Sequence, residues 1–163
     1  MAKGVSFSSL DGKKLRIGIA VSRWNGEITA SLLARCREAL YSCGVKEQNI
    51  TVVEVPGAYE LTYAAYHIIK HGRVDVVICL GCLIKGETMH FEYIAEAVTQ
   101  GIARLNVDTG VPVMFGVLTC LNEKQALARA GNNHQNHGYG WGMSAVEMAI
   151  LKKSGRRPGR RSS

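Results

Sequence analysis

Apolar positions along this chain follow two alternating rhythms. Residues 15–21 form a short, largely β-branched run between Lys13-Lys14 and Ser22-Arg23-Trp24-Asn25-Gly26, which reads as a buried strand. Ile28, Leu32, Cys36, Ala39, Leu40 and Cys43 then recur at helical spacing, and Gly44 closes the helix. A second strand is predicted over 50–55, stopped by Pro56-Gly57. Leu61, Ala64, Ala65, Ile68 and Ile69 mark the buried stripe of the next helix, which ends near Gly72. Residues 74–84 are the most apolar strand, and Phe91, Ile94, Ala95, Val98, Ile102 and Leu105 line a long third helix. A fourth strand is predicted over 111–119, with Pro112 at its start, where a missing N–H is tolerated. Helical segments at 123–130 and 142–153 follow, separated by a loop rich in Gly, Asn and His.

Strands alternating with helices at this spacing imply βαβ units, a mainly parallel sheet and helices on both faces. Right-handed crossovers then give an α/β, three-layer, flavodoxin-like sandwich around four strands. No internal repeat or linker divides residues 1–153, so one domain with an N-terminal arm over 1–14 is expected.

Charge changes this picture only at one end. The chain of 163 residues has a formal net charge of +7. Lys152, Lys153, Arg156, Arg157, Arg160 and Arg161 supply all but one of those charges, and no acid lies among residues 152–163. The basicity belongs to a solvated tail over 154–163 rather than to a folded face, which argues against nucleic acid as the domain's partner. Five cysteines in apolar contexts point to reduced thiols and a cytoplasmic setting rather than a disulfide framework. Cys79-Leu80-Gly81-Cys82 has redox-motif spacing, but it lies inside a strand, without the helix dipole that favours a thiolate. No stretch is apolar enough to span a membrane, and the first 14 residues lack a signal-peptide core.

Candidate chemistry gathers where strands hand over to helices, the edge at which open α/β sheets bind ligands. Gly86-Glu87-Thr88 opens a helix whose free N–H groups favour an anion. Thr88 there is either an anion ligand or an N-cap. His90 lies in the first turn, within reach of that site, as a proton-transfer group or a packing residue. Trp24 follows the first strand and either staples its loop or stacks on a planar ring. Glu60 either binds a polyol or complements a helix dipole. His67 and His71 have zinc-ligand spacing but no evident third ligand. His134 and His137 are placed in the polar loop.

These segments, read together, resemble the lumazine synthases of riboflavin biosynthesis. The matching blocks run in order over about residues 15–152. They are Ser22-Arg23-Trp24-Asn25, Val55-Pro56-Gly57-Ala58-Tyr59-Glu60-Leu61, Gly81 through Ala95, Phe115-Gly116-Val117-Leu118-Thr119, Gln125 through Gly131, and Ala145-Val146-Glu147-Met148-Ala149. The resemblance implies condensation of 5-amino-6-ribitylaminouracil with 3,4-dihydroxy-2-butanone 4-phosphate, with no metal and no redox cofactor. It implies that Trp24 stacks on the pyrimidine, that Ala58, Tyr59 and Glu60 hold the ribityl chain, and that backbone groups of Cys82, Leu83 and Ile84 bind the uracil edge. Glu87 and Thr88 would line a phosphate loop, and His90 would transfer protons. Phe115 and Arg129 would come from a neighbouring subunit, Arg129 pairing with the phosphate. The resemblance also implies a homopentamer or a 60-subunit shell of twelve pentamers. Trp24 stands where Phe is common, and His137 where a common bacterial form has Lys. A non-catalytic flavin carrier on the same scaffold, or a cage-type or nucleic-acid-binding protein using the basic tail, are the competing expectations.

Overall fold

The computed structural model describes residues 4–155. Residues 4–16 run ahead of the sheet without strand or helix, and are tied down where the Gly12 N–H donates to the Cys43 carbonyl at 2.7 Å. The four strands are β1 (Ile17–Ser22), β2 (Ile50–Val55), β3 (Val76–Ile84) and β4 (Val113–Cys120). They form one parallel sheet in the order β2-β1-β3-β4. The five α-helices are α1 (Gly26–Ser42), α2 (Leu61–Gly72), α3 (His90–Thr109), α4 (Glu123–Ala130) and α5 (His137–Ser154). A one-turn 3₁₀ segment, Ala58–Glu60, precedes α2.

Each face of the sheet buries its own core, which is why the central strands read as unbroken apolar runs rather than alternating ones. On one face Ile17, Ile19, Ile78 and Leu80 pack with Leu32, Leu40 and Cys36 of α1, Ala126 of α4 and Val146 of α5. On the other, Ala20, Val77 and Cys79 meet Leu61 and Ile68 of α2 and Val98 and Ile102 of α3. Burying a side chain such as Leu32 or Leu61 fully is worth about 1.5–3 kcal/mol relative to exposure. The three layers agree with the expected sandwich, and the strands start or stop within about two residues of the pattern, the usual uncertainty at element ends.

One boundary moved further. The last helix begins at His137, five residues before the expected 142, capped where the Asn136 Oδ1 accepts from the Gly138 N–H at 2.8 Å. Gly138, Gly140 and Gly142 hide this turn from a propensity reading, since glycine disfavours helix. Packing explains it. A Cβ at Gly138 would stand 2.2 Å from the Leu32 carbonyl oxygen, and one at Gly142 would stand 2.8 Å from both the Cys36 carbonyl oxygen and Ala39 Cβ. The missing side chains let α5 lie against the backbone of α1. His137 is therefore a first-turn helix residue, while His134 stays in the exposed loop. The basic tail lies outside the described residues from Arg156 onward; Ser154 ends α5 and Gly155 follows in the left-handed conformation, φ 55°.

Candidate active site

The sheet order reverses between β1 and β3. From β1 the chain moves outward to β2, then crosses back to β3 and continues to β4. Such a switch point leaves a crevice beyond the carboxyl ends of the two central strands. Here the crevice is deepened because β1 pairs with β3 only as far as Val21↔Leu80, whereas β3 continues to Ile84. Cys82, Leu83 and Ile84 thus run beyond the last β1 pair while staying bonded to β4 through Leu118, Thr119 and Cys120. The edge of β3 that faces the crevice is main chain.

The β1 exit forms one wall. Arg23 and Trp24 N–H groups donate to the Val55 and Pro56 carbonyls at 2.9 and 3.0 Å, holding the two exits together. Asn25 then turns the chain with φ 58° and ψ 48°, a left-handed conformation that Asn tolerates better than most residues. Its Nδ2 donates to the Cys82 carbonyl at 3.0 Å. Trp24 consequently projects at the rim with 74% of its surface exposed. A loop staple would be buried; this ring is free to stack.

The second wall is the 3₁₀ turn after β2. A Cβ on Gly81 would meet Leu61 Cδ1 at 2.9 Å and Ala58 Cβ at 3.4 Å, so the glycine lets this turn sit directly on β3. Ala58 is buried, Tyr59 is exposed and Glu60 is half-buried. Glu60 Oε2 accepts from the Gly57 N–H at 2.9 Å. The carboxylate is thereby oriented by its own turn and keeps one oxygen for another donor. Below the turn, the buried Ser22 hydroxyl has no hydrogen-bond partner among the described residues.

Loop 85–89 closes the third side. Lys85 N–H donates to the Cys120 carbonyl at 2.9 Å, carrying the β3–β4 ladder one step further. Thr88 Oγ1 accepts from the His90 N–H at 3.3 Å. Thr88 is nevertheless not the N-cap: α3 begins only at His90, with Met89 as its N-cap and no side-chain cap bond, so Gly86-Glu87-Thr88 precedes the helix rather than opening it. Accepting from His90 leaves the Thr88 hydroxyl proton available to an anion. Glu87, Thr88 and His90 are all exposed, so His90 faces solvent rather than the core.

Phe115 and Arg129 stand apart. Phe115 lies midway along the edge strand β4, opposite Cys79, and is 37% exposed. Arg129 is in the last turn of α4, its Nη1 donating to the Gln125 carbonyl at 2.9 Å. Among the described residues, no hydrogen bond, ion pair or ring contact joins either to Trp24, Glu60 or His90. The Arg129 charge is felt instead at Cys120 and at His137, whose pKa is lowered by burial and then by Arg129. The His137 ring meets Trp141 edge-on at 5.6 Å.

Burial pushes the Cys79 and Cys82 thiols up to about 12, with Cys120 adding to the shift at Cys82, so neither is a nucleophile at neutral pH. Along α2 Tyr63 stacks on His67, whose ring is tilted against that of His71, and no group of three potential metal-binding side chains occurs among the described residues. No helix of the described chain is long and apolar enough to cross a membrane.

Residues 14–153 match the family model of 6,7-dimethyl-8-ribityllumazine synthase, nearly the whole described chain. The chain belongs to this family. It is 49% identical over 142 residues to the 6,7-dimethyl-8-ribityllumazine synthase of Porphyromonas gingivalis, an alignment spanning 87% of this chain and 88% of that protein. The enzyme of the same description from Flavobacterium psychrophilum is 45% identical over 143 residues, covering 88% and 76%. That of Pyricularia oryzae is 41% identical over 189 aligned positions, covering 93% and 94%. A lumazine synthase condenses 5-amino-6-ribitylaminouracil with 3,4-dihydroxy-2-butanone 4-phosphate to 6,7-dimethyl-8-ribityllumazine, releasing phosphate and water, the penultimate step of riboflavin formation. This chain is such a transferase, acting on small molecules as an oligomer.

Two residues of the site escaped the sequence reading. Asn25 was part of a matching block, yet its cross-link to β3 depends on register. Lys85 likewise lies within the block from Gly81 to Ala95, but its bonds to Glu92 and to the Thr88 carbonyl depend on how the loop folds.

Proposed function

We propose that the crevice between β1 and β3 is one half of the lumazine synthase active site and that a second subunit supplies the other half. Trp24 stacks on the pyrimidine, the main chain of Cys82, Leu83 and Ile84 binds the uracil edge, and Ala58, Tyr59 and Glu60 hold the ribityl chain. Glu87 and Thr88 line the loop that takes the phosphate of the butanone, with Arg129 of an adjacent copy as its cation and Phe115 of that copy closing the cavity. Guanidinium suits this task because it meets phosphate oxygens in pairs. The single observation that carries this reading is the overhang of β3 beyond β1, walled by Trp24, Glu60 and loop 85–89, in a chain whose Phe115 and Arg129 make no contact with those walls among the described residues.

His90 fits the role of proton carrier. An amine attacks a ketone, water leaves, phosphate is eliminated and a ring closes. Each step moves a proton, and an imidazole can take and return one near neutral pH. Holding both substrates in register supplies the larger share of the rate. The assembly is a pentamer or a shell of twelve pentamers, working in the cytoplasm with its own cysteines reduced. A carrier role is disfavoured, since stacking alone requires neither Thr88, His90 nor Arg129.

The test is to mix the two substrates with purified protein and follow lumazine absorbance. His90→Ala is expected to lower kcat on the order of 100-fold, the usual scale of a lost general acid–base group. Arg129→Ala should act mainly through the KM for the phosphorylated ketone. A wild-type protein that leaves the pair unreacted would overturn the proposal.

A further inference from the structure

Lys85 lies in the candidate phosphate loop but is not aimed outward at a ligand. Its Nζ forms an ion pair with Glu92 Oε1 in the first turn of α3. The same ammonium donates to the Thr88 carbonyl at 3.2 Å and sits 6.0 Å from the centre of the Phe91 ring. Its own backbone N–H is bonded to Cys120 at the end of β4. One residue therefore ties the end of the sheet through its main chain, and the carbonyl of Thr88 and the start of the helix through its side chain. Loop 85–89 spans only five residues, with Gly86 inside it, and otherwise has little to fix its shape.

The charges are matched in a way that bears on function. Glu92 has its carboxyl held below the usual carboxylate range, chiefly by the Lys85 hydrogen bond. Its second oxygen, Oε2, is buried and has no hydrogen-bond partner among the described residues, so Lys85 is the chief side-chain partner of this carboxylate, with a backbone N–H beside it. Lys85 in turn is two-thirds covered, its side chain 30% exposed against 38% for Glu92. An ammonium committed to a carboxylate, a carbonyl and a ring contributes little net charge to a phosphate. Its effect must come through geometry.

We propose that Lys85 is a positioning residue for the phosphorylated ketone: with Glu92 it braces loop 85–89 so that Thr88 and His90 meet the substrate in a preformed arrangement. This rests on the reading of that loop as the phosphate site. Thr88 is fixed at its carbonyl by Lys85 and at its hydroxyl by the His90 N–H, so the brace and the candidate ligand share one residue. Releasing the brace loosens both groups at once. The pyrimidine wall, built from Trp24, Asn25 and the 3₁₀ turn, is held by other bonds and should be indifferent.

Steady-state kinetics with each substrate varied in turn separates the possibilities. Lys85→Met and Glu92→Gln are each expected to lower kcat/KM for the ketone phosphate about 10- to 100-fold, the scale of a small misplacement of reacting groups. The KM for the pyrimidine should stay within about twofold, the double variant should be no worse than the worse single one, and Lys85→Arg should restore most activity. An unchanged or improved ketone kcat/KM in Glu92→Gln would overturn the proposal, because a freed Lys85 would then be binding phosphate directly. Equal losses for both substrates would also overturn it, as a general structural effect. Lys85→Arg with Glu92→Gln keeps the test usable if Lys85→Met does not fold, as judged by circular dichroism. Inorganic phosphate checks the underlying reading separately. If phosphate fails to compete with the ketone and Thr88→Ala leaves the ketone parameters unchanged, the loop is not the phosphate site at all.

Discussion

Cys79 and Cys82 have redox-motif spacing, yet three residues along a strand place them on opposite faces of the sheet, one in each core. With thiols pushed up to about 12, only on the order of one molecule in ten thousand carries a thiolate at pH 8. A chromogenic thiol reagent should therefore spare both in the native protein and titrate all five free cysteines in urea. Rapid native labelling of Cys82 would contradict its burial. His137 makes a second residue-scale test. Its pKa is lowered from the ordinary 6.5 by burial and then by Arg129, so the unfolded chain binds that proton more tightly than the folded one. The stability it supports is complete above about pH 6.5 and is lost as pH falls through the lower folded value. Melting temperatures from pH 8 to 5 should fall further in the wild type than in His137→Gln. A gap that stays constant with pH would sink this account.

At the scale of elements, the α1–α5 contact is the most informative. Gly138→Ala places a Cβ against the Leu32 carbonyl oxygen and is expected to cost about 3 kcal/mol, seen as a lower urea midpoint with an unchanged slope. Gly140→Ala, in the same turn but with nothing within 4 Å, should be neutral or stabilise by up to about 1 kcal/mol. Equal effects at the two positions would show that helix propensity rather than packing governs this turn. The comparison also explains what the sequence hid. Strands β1 and β3 were legible because burial on both faces leaves continuous apolar runs, β2 and β4 because Pro56-Gly57 and Pro112 bound their apolar residues, and α1 to α3 because their stripes keep helical spacing. The start of α5 was illegible because its favourable term is a close approach to another helix, and glycine's local preference points the other way. Asn25 was hidden for a related reason: its bond to Cys82 joins positions 57 residues apart.

For the whole molecule, a site divided between copies predicts complementation. His90→Ala and Arg129→Ala chains, each impaired alone, should regain about a quarter of wild-type activity when co-expressed, because random mixing restores roughly that share of interfaces. No recovery would place both groups in one subunit's site. Light scattering would distinguish one pentamer from twelve by an approximately twelvefold difference in mass. By itself, the sequence determined the layered architecture, the strand exits and the residue types gathered there, since periodicity, breakers and local motifs are properties of neighbours along the chain. Only the tertiary structure decided that β3 overhangs β1, that Trp24 stands free at the rim, that Lys85 joins Glu92 and the Thr88 carbonyl, and that Phe115 and Arg129 make no contact with Trp24, Glu60 or His90 among the described residues. Those facts depend on register, strand order and close packing, which arise between residues far apart in sequence and leave no local signature.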